Sequence, residues 1–142
     1  MANRAFIRVD NVTLANAATI DSCVCGLKAF ASNSADTVTL KLGFVDADDP
    51  SAPTTLAALD ALTMTSATVA WTPGDWIDGY VYLTPDLKTS LQEVVNRGGW
   101  ASGQALILLI EDNSSSADAY RQASAFDYDT ASEKAGIFVA HS

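Results

Sequence analysis

This chain of 142 residues holds one histidine, two cysteines and only eight lysine and arginine residues. Each scarcity closes off a class of function. Eight cations against 17 carboxylates leave a net charge of −9, and the cations form no run. Binding a phosphate backbone takes clustered cations that release counterions, so nucleic acid is not an expected partner. The longest apolar run, "ALILLI" (105–110), is far too short to cross a bilayer. The opening residues "MANRAFIRVD" pass straight into alternating sequence with no apolar leader. The expectation is a soluble protein made in a cytosol, without membrane contact.

The cysteines, Cys23 and Cys25, stand two apart in "DSCVCGLKAF". On a strand this spacing puts both thiols on one face, and a bridge from i to i+2 along extended chain is geometrically poor. With His141 as the sole histidine, a tetrahedral zinc site lacks ligands. Both cysteines are expected to be reduced core thiols that pack as small hydrophobes. His141, next to the last residue, is expected to fray rather than catalyse. No G-x-S-x-G, H-E-x-x-H or phosphate-cradling glycine loop occurs. Glycoside hydrolysis needs two carboxylates facing one sugar across a cleft. Glu93, Glu111, Asp112 and Asp127 are candidates by type, but none sits in a recognisable motif. No catalytic residue and no cofactor is expected, and the chain is read as a non-enzyme.

What is present points to one globular domain over residues 1–142. Hydrophobic residues make up 49% and charged residues 18%, enough to bury a core. Period-two alternation marks strands in 4–10, 20–30, 37–45, 66–73 and 78–83. Further strands are expected in 104–112, 119–129 and 136–141. In 20–30, Cys23, Cys25, Leu27 and Ala29 share a face; in 37–45, Val38, Leu40, Leu42 and Phe44 do. "QALILLIED" (104–112) is apolar on both faces, which suits a central strand covered on each side. "NVT" (11–13) and "NSS" (113–115), sequons in form, read as ordinary turns. Short strands separated by turn clusters predict an all-β, jelly-roll β-sandwich.

One segment has a different period. In "TPDLKTSLQEVVNRGGW" (84–100), Leu87, Leu91, Val94 and Val95 follow i, i+4, i+7, i+8 and form one apolar stripe. Thr84 suits the N-cap, Pro85 the first helical position, and Asp86 the positive helix end. Gly98 and Gly99 mark the stop, where glycine takes a left-handed cap readily. An amphipathic α-helix over about 85–97 is expected to close an open end of the β structure, with Trp100 over the end of its stripe.

Two constellations suggest ligands. Asp46, Asp48 and Asp49 in "DADDP" could supply calcium oxygens, but the run lacks the glycine and distal glutamate of an EF-hand, so a solvated turn is expected. Trp71, Trp76, Tyr80, Tyr82, Trp100, Tyr120 and Tyr128 could stack on sugar rings. Alternation puts Trp71 in the core. Trp76, in "PGDWIDGYVY", is expected to be exposed and, with Tyr80, to contact a glycan or a protein partner.

The order of these features resembles a jelly-roll module that recurs in tailed-phage virion proteins and in large secreted bacterial proteins. The pieces that carry the likeness are "FIRVDNVTLANAATIDSCVCGLKAF" (6–30), "GFVDADDPSAPT" (43–54) and "ATVAWTP" (67–73). The most specific are "TPDLKTSLQEVVNRGGWASGQALILLIED" (84–112) and "AYRQASAFDYDTASEKAGIFVAH" (119–141). Gly98 stands where the family commonly has proline, and only "MANRA" precedes the first matching strand. The resemblance implies a carbohydrate-binding-module-like sandwich, here as a stand-alone chain. It also implies a virion structural part, most simply a capsid decoration (cement) protein on the particle surface, assembled in the host cytoplasm. The expected partner is a major capsid protein or another virion protein. The rival expectation is a carbohydrate-binding module, or a tail, neck or fibre component that contacts host glycans. The short amino terminus leaves a sheet edge for a neighbour to cover, and a homotrimer is expected.

Overall fold

The structure is a computed structural model that describes residues 3–33, 36–124 and 136–142. Where apolar residues alternate, the chain is extended: β1 (Arg4–Val9), β2 (Ile20–Lys28), β3 (Leu40–Phe44), β4 (Val69–Trp71), β5 (Val81–Leu83), β6 (Leu106–Asp112) and β7 (Gly136–His141). Among the described residues two helices interrupt them, α1 (Leu56–Asp60) and α2 (Lys88–Val95). The strands form an all-β sandwich of two antiparallel sheets, ordered β1-β6-β3-β4 and β5-β2-β7. Every connection between successive strands changes sheet except that from β3 to β4. The strand expected over 119–129 lies partly outside the described residues; within 119–124, Ala123 bridges to Ala29.

The shared faces read from sequence fill the space between the sheets. Cys23, Cys25 and Leu27 of β2 meet Leu42 and Phe44 of β3 and Leu106 and Leu108 of β6, all buried. β6 is central, paired to β1 on one side and to β3 on the other. Its alternate residues Ile107 and Leu109 face outward yet are also buried, under Leu59, Leu62 and Met64. This explains why "ALILLI" is apolar at every position. The cover over that outer face includes α1, a short helix that sequence reading did not foresee. Thr55 caps it, accepting a hydrogen bond from Ala58 N–H at 3.0 Å. Arg4 anchors the same cover by donating to the carbonyls of Leu59, Asp60 and Leu62, and Arg8 donates to Pro50.

α2 is shorter than the expected 85–97, and its ends are built differently. Its N-cap position is Leu87, without a side-chain cap. Thr84 and Asp86, expected to serve the helix, serve β2 as well. Thr84 Oγ1 accepts from Cys25 N–H at 3.0 Å, and Asp86 Oδ1 accepts from Cys23 N–H at 2.9 Å and Lys88 N–H at 3.0 Å. Gln92 Oε1 then takes Ile20 N–H at 2.9 Å. Beyond the three residues of β5, this edge of β2 would carry unpaired backbone amides. Side chains from 84–92 pair them instead. At the far end neither Gly98 nor Gly99 adopts positive φ, and the C-cap residue Asn96 is right-handed. Gly99 answers a steric demand: a Cβ there would overlap the Asp48 carboxylate.

The buried stripe of α2 is the one read from sequence, with Leu91, Val94 and Val95 fully buried beside Leu87 and Ser90. The helix packs on β2 and β3, one strand from each sheet. Ser90 Oγ accepts from Phe44 N–H at 2.8 Å and lies 2.6 Å from Thr65 Oγ1. Glu93 accepts from the amides of Ser66 and Ala67. A strand-rich chain keeps this helix because it ties the two sheets together. Trp100, buried in the same core, donates from Nε1 to the Leu14 carbonyl at 2.9 Å.

Candidate functional site

A groove of about 840 Å³ opens along the β1 side of the sandwich. Ile7 of β1, Leu27 of β2, Leu40 of β3 and Ile110 of β6 supply its apolar wall, with Trp71 and Trp76. Arg4, Arg8, Asp10, Asp112 and Arg121 supply its charged groups. Arg4 Nε is bound to Glu111 at 2.7 Å. Asp112 accepts from Ser115, and these hydrogen bonds hold its carboxyl below the usual range.

Trp76 was expected on the surface and is not there. It is buried at 4% exposure, stacked on Tyr82 with ring centroids 5.1 Å apart and planes 4° apart. Trp71 lies 6.4 Å away at 47° and is half-buried, short of the full core position expected. Local alternation could not place Trp76, because the segment around it turns inward through its bridge to Asn33. Tyr80 is exposed, as expected, but does not line the groove that Trp76 lines. The two residues therefore do not form one contact surface. Trp76 Nε1 and Ser124 Oγ, both on groove residues, are buried and find no hydrogen-bond partner among the described residues.

The other sequence candidates are spoken for. Asp46 and Asp48 hold Arg97, at 2.5 and 2.9 Å, and Asp49 accepts from Ala105 N–H at 2.9 Å. Donating first to Asp48 and then to Asp46 pushes the Arg97 pKa upward, so the cation of this loop is a guanidinium. Among the described residues no group of three His, Cys, Asp or Glu side chains is arranged to hold a metal. Glu93, Glu111 and Asp112 each serve a different local bond, and Asp127 and Tyr128 lie outside the described residues. Cys23 and Cys25 are free thiols with no exposure. Burial pushes both up to about 12, with the charge of Asp86 adding to the effect on Cys23. Such thiols are poor nucleophiles at neutral pH.

Sequence reading missed a second surface. On the outer face of the three-stranded sheet, Val81, Leu83 and Phe138 are each more than half exposed. They converge over Gly26, where an added Cβ would lie 3.1 Å from Phe138 and 3.4 Å from both Val81 and Leu83. The signal was present in "DGYVYL" and "GIFVAH", which are apolar on both faces without being central strands. No protein-family model and no curated protein matches this chain.

Proposed function

We propose that this chain is a non-enzymatic virion structural protein, most simply a capsid decoration protein on the outer surface of a tailed phage. The observation that carries the reading is the apolar outer face built by Val81, Leu83 and Phe138 over Gly26. Contiguous exposed apolar surface of this kind marks protein interfaces. It stands on a chain of net charge −9, whose acidic balance suits a particle's outside better than a DNA-facing lining. The path that changes sheet at nearly every connection suits the jelly roll implied by the sequence resemblance. The partner in this reading is a major capsid protein or another virion protein. The chain sits there as a homotrimer, whose multiple weak contacts add to avidity.

Mass spectrometry of purified particles tests the reading. The chain is expected among the virion proteins, and its absence from them overturns the proposal. Tyr80 and Tyr120, both more than half exposed, favour a second reading as a carbohydrate-binding module or a tail, neck or fibre part that contacts host glycans. A glycan array separates the two. Specific binding lost in Tyr80→Ala or Tyr120→Ala favours the second; Trp76→Ala is a poor probe, because that ring belongs to the core.

A further inference from the structure

Alternation along β3 and β6 puts Leu40 and Ile110 on the inner face, together with Leu42, Phe44, Leu106 and Leu108. Both strands are central in their sheet. Inward residues of central strands fill the space between two packed sheets, and those last four are buried accordingly. Leu40 and Ile110 are only half-buried, and so is Trp71, which lies opposite Leu40 in register. The groove accounts for the difference, because all three line it. Ile7 of β1 and Leu27 of β2 line it as well. Its walls therefore come from the inner faces of both sheets. It is a gap in the filling of the sandwich, open along the β1 side.

The charges around this gap are already committed. Arg4 is held by Glu111 and by the carbonyls of Leu59, Asp60 and Leu62. Arg8 donates to the Pro50 carbonyl at 2.9 Å and faces Asp10. Arg121 donates to the carbonyls of Gly74, Tyr120 and Asp36, and Asp112 accepts from Ser115. What is left over is neutral. Three buried side-chain polar atoms have no partner among the described residues, and two of them belong to this lining. They are Trp76 Nε1 and Ser124 Oγ, on residues 4% and 5% exposed.

These two atoms and the walls narrow the occupant. An indole N–H can only donate, whereas a hydroxyl donates or accepts. A buried donor without an acceptor destabilises the fold until a guest supplies one. An anion would have to leave water beside cations that already hold other partners, which is costly. A neutral acceptor on an apolar body suits both the indole N–H and the walls built by Leu40, Ile110 and Trp71.

We propose that this gap binds a neutral, mainly apolar small molecule whose carbonyl or ether oxygen accepts from Trp76 Nε1, with Ser124 Oγ as a second polar contact. Its volume of about 840 Å³ admits a molecule of drug-like size. The proposal does not rest on the virion reading, which concerns the outer face of the three-stranded sheet.

Three probes of similar shape test it on the intact protein: acetophenone, which carries a carbonyl, toluene, which has no acceptor, and benzoate, an anion. Each is titrated while the indole N–H resonances are followed by NMR. Trp76→Phe assigns the Trp76 signal; if that variant does not fold, the contact of the ring with Tyr82 assigns it. Acetophenone should shift this resonance saturably. It should bind roughly fivefold more tightly than toluene and roughly tenfold or more above benzoate. Ser124→Ala should weaken acetophenone roughly twofold or more at an unchanged melting temperature, since its hydroxyl holds no described partner. Ile110→Phe puts extra carbon into the gap, so it should abolish binding while the melting temperature holds or rises. No saturable shift at Trp76, or toluene or benzoate binding as tightly as acetophenone, overturns the proposal. So does a marked loss of stability in Ile110→Phe, which would mean that the space is already filled.

Discussion

Cys23 and Cys25 show how much a residue's surroundings decide its chemistry. An exposed thiol ionises near 9.0, whereas these two, held without solvent exposure, do so near about 12. Between those values the unfolded chain has released protons that the folded chain keeps, so stability falls as pH rises. The contribution is fully present below pH 9 and is lost toward pH 12, by about 1.4 kcal/mol per pH unit for each thiol at the steepest. Denaturant unfolding between pH 9 and 11 should show this slope, and Cys23→Ala with Cys25→Ala should flatten it. Equal slopes in the two proteins would contradict the assignment. The adjacent glycines separate just as sharply. Nothing lies within 4 Å of a Cβ at Gly98, but one at Gly99 would overlap Asp48. Gly98→Ala should leave the midpoint nearly unchanged, while Gly99→Ala should open the Arg97–Asp48 pair and cost about 1 kcal/mol.

α2 is held by two kinds of contact, and each predicts its own loss. Leu91 is fully buried between the sheets, so Leu91→Ala should cost about 2–4 kcal/mol, and Val94→Ala somewhat less. Ser90→Ala removes a small polar group, yet it strands the Phe44 amide beneath the helix, while Thr65 Oγ1 keeps its bond to the Ala67 carbonyl. An unpaired buried amide makes that loss about 1–3 kcal/mol, large for one oxygen atom. Chemical denaturation of the three variants checks both figures. Unchanged stability with altered partner binding would make the helix an interface instead of a tie. Much of this element was legible beforehand: the stripe Leu87, Leu91, Val94 and Val95 is the buried face. Its ends were not legible, because Thr84 and Asp86 are good caps by type and the nearby β2 edge competes for the same oxygens.

At the scale of the whole molecule, the outer face of the three-stranded sheet presents exposed apolar side chains, so its disruption has a direct readout. Phe138→Asp puts a charge among Val81, Leu83 and Gly26, where no core contact is lost. The variant should keep its melting temperature within a few degrees and, on the trimer proposed above, lose self-association in light scattering along with any particle binding. Association that survives the change would move the interface elsewhere. Sequence alone determined the all-β sandwich, the strands from β1 to β7 and the faces of β2 and β3, because period-two burial is a local property that each segment carries by itself. It also determined that β6 would be central, since an unbroken apolar run needs cover on both sides. Only the tertiary structure decided that Trp76 lies inside, that Arg97 occupies the aspartate loop, that α2 pairs the free edge of β2, and that a groove follows β1. Each of these joins residues far apart in the chain, through distances and packing that no local period encodes.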